Sequence, residues 1–241
     1  MNDFIDKLLP LEKNIFLALN EPISPFWDNA MWTYTGITTW VPMIFLILYM
    51  AFRNQQLKEG LLVLGSVLLV LLLSNLFSAI FFKPIFQRYR PSHHPDYKDL
   101  INILNDFRGG DYGFISGHAT NSFGIAFFFS RLFKNRLLTT SMILWATLNS
   151  YSRIYLGVHF ISDIVGGFIV GSLIGLLVYE VYIRIHVRNY HISFTERKES
   201  IYSQKQGTYL GVFIISYIVL VILLSPLLTS FSHSIIPGSW F

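Results

Sequence analysis

The chain contains no cysteine, which excludes a disulfide framework, a thiolate nucleophile and a thiolate metal site. It is also poor in charge, because only 13% of its 241 residues are Asp, Glu, Lys or Arg. That fraction is about half of the charged fraction in an average soluble domain. Internal repeats and low-complexity segments are absent as well. The composition therefore disfavours a soluble protein.

Long apolar runs take the place of charge, and 53% of the residues are hydrophobic. Six segments approach the length of about 20 residues that a bilayer-spanning helix needs. They cover residues 32–52, 60–82, 114–133, 137–156, 160–183 and 209–231. Ser, Thr, Asn and His interrupt the third and fourth, which favours positions that face the protein interior or a wet cavity. The sequence predicts an all-α membrane protein, a six-transmembrane helix bundle, as a single domain over residues 1–241.

The N-terminal segment, residues 1–22, carries acids and a proline where a signal peptide has a basic start and an unbroken apolar core. We expect it to be retained as an amphipathic helix at the membrane interface. Its predicted apolar face consists of Phe4, Leu8, Leu9, Ile15, Phe16 and Leu19.

The basic residues are distributed unevenly among the connections. Ten lie in one set: Arg53, Lys58, Arg131, Lys134, Arg136, Arg184, Arg188, Arg197, Lys198 and Lys205. Eight lie on the opposite side, and three of these (Lys83, Arg90, Arg153) are assigned below to an anion site. The positive-inside rule then places the first set, with the loop 184–208, in the cytoplasm. Both chain ends and the loop 83–113 are predicted to face outward.

Three polar clusters lie at ends of different apolar segments, all on the predicted outer side. KPIFQRYRP (83–91) follows the second segment, GFISGHATNS (113–122) begins the third, and SRIYLGVHFISD (152–163) joins the fourth to the fifth. If the helices pack as a bundle, all three clusters meet at one membrane face.

One group of residues in these clusters has the chemistry to bind an anion. Lys83, Arg90 and Arg153 supply three cations, and a guanidinium group binds phosphate oxygens in bidentate fashion. Ser116 and Gly117 stand where the third segment begins, so a hydroxyl and free backbone N–H groups can point at an anion along the helix dipole. Together they predict a site for a tetrahedral oxyanion.

The histidines supply reactivity. His159 and Asp163 are four residues apart and share one helical face. An aspartate that accepts the N–H of one imidazole nitrogen leaves the other nitrogen free to attack phosphorus. His118 is the candidate general acid for the leaving oxygen and later the base for water. We expect no metal and no cofactor, because the cations neutralise the phosphate charge; a metal on His159 and Asp163 is the alternative, which the neighbouring cations disfavour.

These motifs resemble the type 2 phosphatidic acid phosphatase (PAP2) superfamily, which shares its site with glucose-6-phosphatase and vanadium-dependent haloperoxidases. The family pattern is Lys, six residues, Arg-Pro; then Pro-Ser-Gly-His; then Ser-Arg, five residues, His, three residues, Asp. The matching residues are Lys83, Arg90, Pro91, Ser116, Gly117, His118, Ser152, Arg153, His159 and Asp163. Ile115 stands where the family usually has proline, which we expect to alter the loop geometry without removing activity.

The resemblance implies a phosphohistidine intermediate on His159 that water hydrolyses. It also implies six membrane spans, with phosphate held by Lys83, Arg90 and Arg153 and helped by Ser116, Gly117 and Ser152. The expected protein is an inner-membrane lipid phosphatase whose active site faces the periplasm and whose partners are a lipid phosphate and the bilayer, with no nucleic acid. Undecaprenyl diphosphate and lipid A rank first as substrates, ahead of phosphatidylglycerophosphate and phosphatidic acid. A lipid phosphotransferase and a non-catalytic anion or lipid transporter are the alternatives.

Several neighbouring residues have weaker assignments. Arg88, His93 and His94 flank Arg90, and we expect them to be solvated loop residues rather than substrate ligands. Asn121 and Ser122 either position His118 or pair helices. His186 and His191 are predicted to lie at the cytoplasmic surface, far from the site.

Overall fold

The computed structural model describes residues 3–190 and 200–235, and its architecture is helical. The helices are α1 (Asp3–Asp6), α2 (Leu9–Asn20), α3 (Pro25–Thr35), α4 (Val41–Phe52), α5 (Leu57–Asn75), α6 (Lys83–Phe86), α7 (Gly117–Phe133), α8 (Arg136–Tyr155), α9 (Ile161–Tyr190) and α10 (Gln204–Ile235). A π-helix, Leu76–Phe82, joins α5 to α6. The described residues form no β-strand beyond an isolated bridge between Tyr89 and Tyr112. The predicted all-α fold is confirmed over this part of the chain.

Among the described residues, three helical stretches are long and apolar enough to cross a membrane: Leu57–Phe86, Ile161–Tyr190 and Gln204–Ser230. A fourth span results if Pro25–Thr35 and Ile37–Phe52, which are bent by 71° relative to one another, cross together. The predicted third and fourth segments do form helices, α7 and α8. Their Ser, Thr and Asn residues lower their hydropathy, so the count of six spans stays a prediction.

Helices α7 and α9 pack backbone against backbone through small residues. A Cβ atom on Gly171 would collide with the backbone of Thr120, and one on Gly175 would collide with the carbonyl of Gly124. The same close packing brings the N-terminal ends of the two helices together, where the Ser116 N–H donates to the Asp163 carbonyl at 3.0 Å. Two of the three sequence clusters are thereby adjacent.

The N-terminal helix α2 packs on the protein more closely than an interfacial helix would. Leu9 and Phe16 are buried, and Phe16 contacts the rings of Tyr97 and Phe160. The prediction that Leu9 and Phe16 face the membrane interface is therefore wrong, because an aromatic pocket in the protein accepts them. Leu8 and Ile15 are exposed, as expected.

The far end of the bundle contains a buried polar cluster. His186, on α9, is 5% exposed and its Nδ1 lies 2.7 Å from Glu59 Oε2, while Tyr182 donates to the other oxygen of the same carboxylate. The prediction that His186 lies at the surface is wrong, because it pairs with a buried acid on α5. His191 and residues 191–199 of the predicted loop 184–208 lie outside the described residues.

Candidate active site

The turn between α8 and α9 places His159. After α8 ends, Gly157 adopts a φ of +72°, a conformation that favours glycine. Its N–H donates to the Ile154 carbonyl at 2.9 Å, and the Val158 N–H donates to the Arg153 carbonyl at 3.1 Å. This tight helix end reverses the chain, and His159 follows within electrostatic range of Arg153.

His159 and Asp163 form a hydrogen-bonded pair inside the protein. The imidazole Nδ1 lies 3.2 Å from Asp163 Oδ2, and the backbone N–H of Phe160 donates to the same oxygen at 3.0 Å. Both side chains are almost completely buried. The arrangement assigns the proton to Nδ1 and leaves Nε2 unprotonated, as a hydrogen-bond acceptor.

Arg90 lies at the second ring nitrogen of His159, Nε2. Its Nη1 is 3.1 Å from His159 Nε2 and also donates to the Val158 carbonyl at 3.1 Å. Its Nε is buried and has no hydrogen-bond partner among the described residues. Because a buried donor is costly when unsatisfied, this Nε is well suited to an anionic ligand.

The other predicted cations, Lys83 and Arg153, lie near the imidazoles of His118 and His159. Arg153 is 3% exposed, and its Nη1 donates to Thr35 Oγ1 at 2.6 Å. Lys83 begins α6 directly after the π-helix. Lys83, Arg90 and Arg153 all lie within electrostatic range of both His118 and His159. The first and third sequence clusters therefore meet, as predicted from the bundle.

The second cluster contributes the start of α7. Ser116 is the N-cap residue, and its Oγ accepts the Ala119 N–H at 3.4 Å. The first N–H groups of a helix lack acceptors within it, so those of Gly117 and His118 can bind an anion. Ser152, by contrast, donates its hydroxyl to the Asn149 carbonyl of its own helix at 2.8 Å.

The weaker assignment of Ser122 is resolved by a contact between helices. Asn149 on α8 donates to Ser122 Oγ on α7, so Ser122 joins two helices in the described structure.

The charge environment keeps His159 neutral. Burial lowers the pKa of His159 well below its ordinary value, and Arg90, Arg153, Lys83 and Arg88 act in the same direction. A neutral imidazole with a free lone pair is the nucleophilic form.

Arg88 is the site residue that sequence reasoning missed. It is 1% exposed, and its Nη1 donates to Asp163 Oδ1 at 2.8 Å and to Ser162 Oγ at 2.6 Å. His94 is buried as well, against Tyr97 and Phe160. The expectation that Arg88 and His94 are solvated is wrong, while His93 is partly exposed and lies 3.3 Å from the Gly109 carbonyl.

The sequence signal for Arg88 is its position two residues before Arg90. Tyr89 bridges to Tyr112, so residues 88–90 are extended. Side chains two residues apart in an extended segment point to the same face. Arg88 and Arg90 therefore enter the site together.

Gly113 allows the loop 83–113 to approach the Asp163 carboxylate. A Cβ atom at this position would lie 2.8 Å from Asp163 Oδ2 and 3.3 Å from Arg90 Cγ. The Gly113 N–H donates to the Arg88 carbonyl at 2.8 Å. The loop backbone thus lies directly against the Asp163 carboxylate.

The assembled site can hold a tetrahedral anion between cations and helix N–H groups, with one unprotonated imidazole nitrogen facing it. Within residues 3–190 and 200–235, no group of three or more His, Asp or Glu residues could hold a metal ion. The surroundings of His159 are cationic, which suits phosphate.

Comparison with known proteins identifies a matching protein family and similar proteins. The model of the PAP2 superfamily matches residues 60–186, a range that contains every predicted site residue. The chain is 44% identical to the lipid A 4'-phosphatase of Porphyromonas gingivalis over 74% of this chain and 76% of that protein. It is 40% identical to the lipid A 4'-phosphatase of Bacteroides thetaiotaomicron over 73% of this chain and 78% of that protein.

A solved structure shares the fold. The transmembrane PAP2-type phosphatidylglycerolphosphate phosphatase from Bacillus subtilis superposes with a TM-score of 0.56 and 25% sequence identity. The match covers 75% of this chain and 88% of that chain.

Proposed function

The chain belongs to the PAP2 superfamily, and on that basis we propose that it removes the 4'-phosphate of lipid A through a phosphohistidine intermediate on His159. It is an integral membrane protein and a lipid phosphatase. The observation that carries the mechanism is the buried imidazole with Asp163 at one nitrogen and Arg90 at the other.

The first half of the reaction forms a bond between nitrogen and phosphorus. Lys83, Arg90 and Arg153 hold the phosphate oxygens, with the N–H groups of Gly117 and His118 and the Ser116 hydroxyl. Ser152 joins them when its hydroxyl turns from the Asn149 carbonyl to the phosphate. The His159 Nε2 attacks phosphorus while Asp163 holds the Nδ1 proton and stabilises the cation that forms. The bond to the sugar oxygen breaks, and His118 donates a proton to that oxygen.

The second half returns the enzyme to its starting state. His118, now unprotonated, takes a proton from water, whose oxygen attacks the phosphohistidine. The bond from phosphorus to Nε2 breaks and inorganic phosphate leaves. The cations neutralise the charge that develops on the phosphoryl oxygens in both halves.

The choice of lipid A is supported by the relatives. Both of the lipid A 4'-phosphatases match about three quarters of this chain at 40% identity or more. Undecaprenyl diphosphate, which the sequence motifs favour equally, ranks second because those motifs contact only the phosphate. Phosphatidylglycerophosphate and phosphatidic acid follow.

The membrane arrangement forms part of the proposal. It has six spans, with α7 and α8 as the two less apolar ones, and an N-terminal segment that contacts the membrane interface only through exposed residues such as Leu8 and Ile15. The protein lies in the inner membrane with the site open to the periplasm, which is supported by the excess of basic residues at the opposite end. The loop 83–113 covers the site from that side.

The test is phosphate release by the purified protein in detergent with EDTA, over lipid A and the three competing lipids. Mass spectrometry of the lipid A product distinguishes loss of the 4'-phosphate from loss of the 1-phosphate. Release confined to the 4' position supports the proposal. Exclusive release from undecaprenyl diphosphate contradicts the substrate, and transfer of phosphate to another lipid without free phosphate contradicts hydrolysis.

A further inference from the structure

Arg88 lies at the centre of a buried charge cluster that the catalytic steps do not use. Its Nη1 donates to Asp163 Oδ1 at 2.8 Å, its Nη2 to Glu12 Oε1 at 2.9 Å and its Nε to Asp6 Oδ1 at 3.3 Å. Its guanidinium carbon lies 4.6 Å from the centre of the Phe160 ring. All three kinds of guanidinium nitrogen are thus occupied by the protein, and Arg88 differs in this respect from Arg90.

Glu12 connects this cluster to the N-terminal helix. Its Oε2 accepts the backbone N–H of Ser162 at 2.8 Å, and its Oε1 accepts the Ser162 hydroxyl at 2.7 Å. Ser162 lies in the first turn of α9, where helix N–H groups lack acceptors within the helix. A carboxylate from α2 therefore binds the start of the helix that carries Asp163.

We propose that Arg88 and Glu12 are positioning residues that fix the orientation of the Asp163 carboxylate against His159. This inference rests on the proposed role of His159 as the nucleophile. Arg88 binds one oxygen of Asp163, which leaves the other for the imidazole and for the Phe160 N–H. Glu12 holds Arg88 in place and joins α2 to α9.

The energetics favour this role over incidental packing. Asp163 is completely buried, and a buried carboxylate requires charged or N–H partners. Without Arg88, its Oδ1 would have to find another donor, and rotation of the carboxylate would draw Oδ2 away from His159. A displacement of about 1 Å in a catalytic group can lower the rate on the order of 10²-fold.

Arg88 also contributes to the charge that surrounds His159. The charged and titratable groups that face this imidazole are Lys83 on α6, Arg88 and Arg90 on the loop, His118 on α7, Arg153 on α8 and Asp163 on α9. Removal of Arg88 takes away a positive charge and leaves the Asp163 carboxylate less neutralised. Both changes favour the imidazolium, so the pKa of His159 should rise.

The experiment compares Arg88→Gln, the double variant Arg88→Gln/Glu12→Gln, and the control Arg108→Gln. Arg108 is exposed on the same loop and donates to the Ser92 carbonyl, away from Asp163. The single variant leaves buried carboxylates without their cation and can fail to fold. The double variant also lacks the contact between Arg88 and Asp163. Because it removes the Glu12 carboxylate as well, it leaves fewer buried charges unpaired.

Two readouts apply to each folded variant. The first is kcat and KM on the lipid that the wild type hydrolyses best. We expect kcat to fall on the order of 10²-fold in both Arg88 variants with KM within about twofold, and no change in Arg108→Gln. A raised KM with unchanged kcat, or wild-type kcat in the double variant, would overturn the inference.

The second readout is a 13C NMR titration of labelled histidine in the detergent-solubilised protein, which does not depend on turnover. We expect the pKa of His159 to rise in Arg88→Gln and, by less, in the double variant. An unchanged titration would overturn the inference. A wild type that hydrolyses no lipid would contradict the proposed function, and the titration would still decide whether Arg88 acts on His159.

Discussion

Nδ1 of His159 lies 3.2 Å from Oδ2 of Asp163, one helical turn further along the chain. This contact selects the tautomer in which Nε2 is unprotonated and faces the cations.

The first prediction concerns this tautomer. In Asp163→Asn the amide can donate to Nδ1, which would place the proton on Nε2 and block attack. We expect kcat for phosphate release to fall on the order of 10³-fold or more in the folded variant, in which Arg88 still pairs with Glu12 and Asp6. Asp99→Asn, an exposed change on the loop 83–113, should retain wild-type activity. Activity of Asp163→Asn within about tenfold of wild type would contradict the assignment.

The second prediction concerns pH. Burial lowers the pKa of His159 well below 6.5, and Arg90 and Arg153 add to the effect. His159 should therefore stay neutral as the pH falls through 6.5 and become protonated only at lower pH. A 13C NMR histidine titration, with the resonance assigned by its loss in His159→Gln, checks this directly. The pH profile of the rate is less direct, because the substrate phosphate itself titrates near pH 6. A midpoint at or above 6.5 would be inconsistent with the described burial.

The third prediction concerns the loop over the carboxylate. In Gly113→Ala the new Cβ would lie 2.8 Å from Asp163 Oδ2, so the carboxylate or the loop must move. We expect kcat to fall by about tenfold or more. Gly110→Ala is the matched control, because a Cβ there meets no atom within 4 Å. Equal activities of the two variants would show that the loop moves freely away from Asp163.

The fourth prediction concerns the packing of α7 on α9. Gly171→Ala inserts a methyl group against the Thr120 backbone, which cannot move without separating the helices. We expect a loss of about 1–3 kcal/mol in the free energy of unfolding, seen as a lower Tm in detergent. Gly65→Ala, at a position where a Cβ meets nothing within 4 Å, should leave Tm unchanged or higher. If both variants had the same Tm, close approach at Gly171 would not contribute to stability.

The convergence of the three clusters was predictable from the sequence. Arg90, Arg153 and His159 meet because their positions relative to the apolar segments place them at the same ends of neighbouring helices. The pairing of His159 with Asp163 follows from a spacing of four residues, which is a local property of a helix.

The contacts of Arg88, Phe16 and His186 depend on distant parts of the chain. Arg88 is buried because Asp6 on α1 and Glu12 on α2 approach it. Its spacing from Arg90 indicates a shared face but does not indicate these distant partners. Phe16 is buried because Tyr97 and Phe160 form its pocket. His186 contacts Glu59, which lies 127 residues away in the sequence. The Ser, Thr and Asn residues of α7 and α8 lower the mean hydropathy of these helices, so hydropathy alone does not identify them as spans.

The central claim is that His159 carries the phosphoryl group of lipid A. The most direct test is phosphate release from lipid A, with EDTA present, by purified wild type, His159→Ala and the control His93→Ala, with matched Tm values confirming that each is folded. We predict release by the wild type and by His93→Ala and no detectable release by His159→Ala. Release by folded His159→Ala at the wild-type rate would contradict the account.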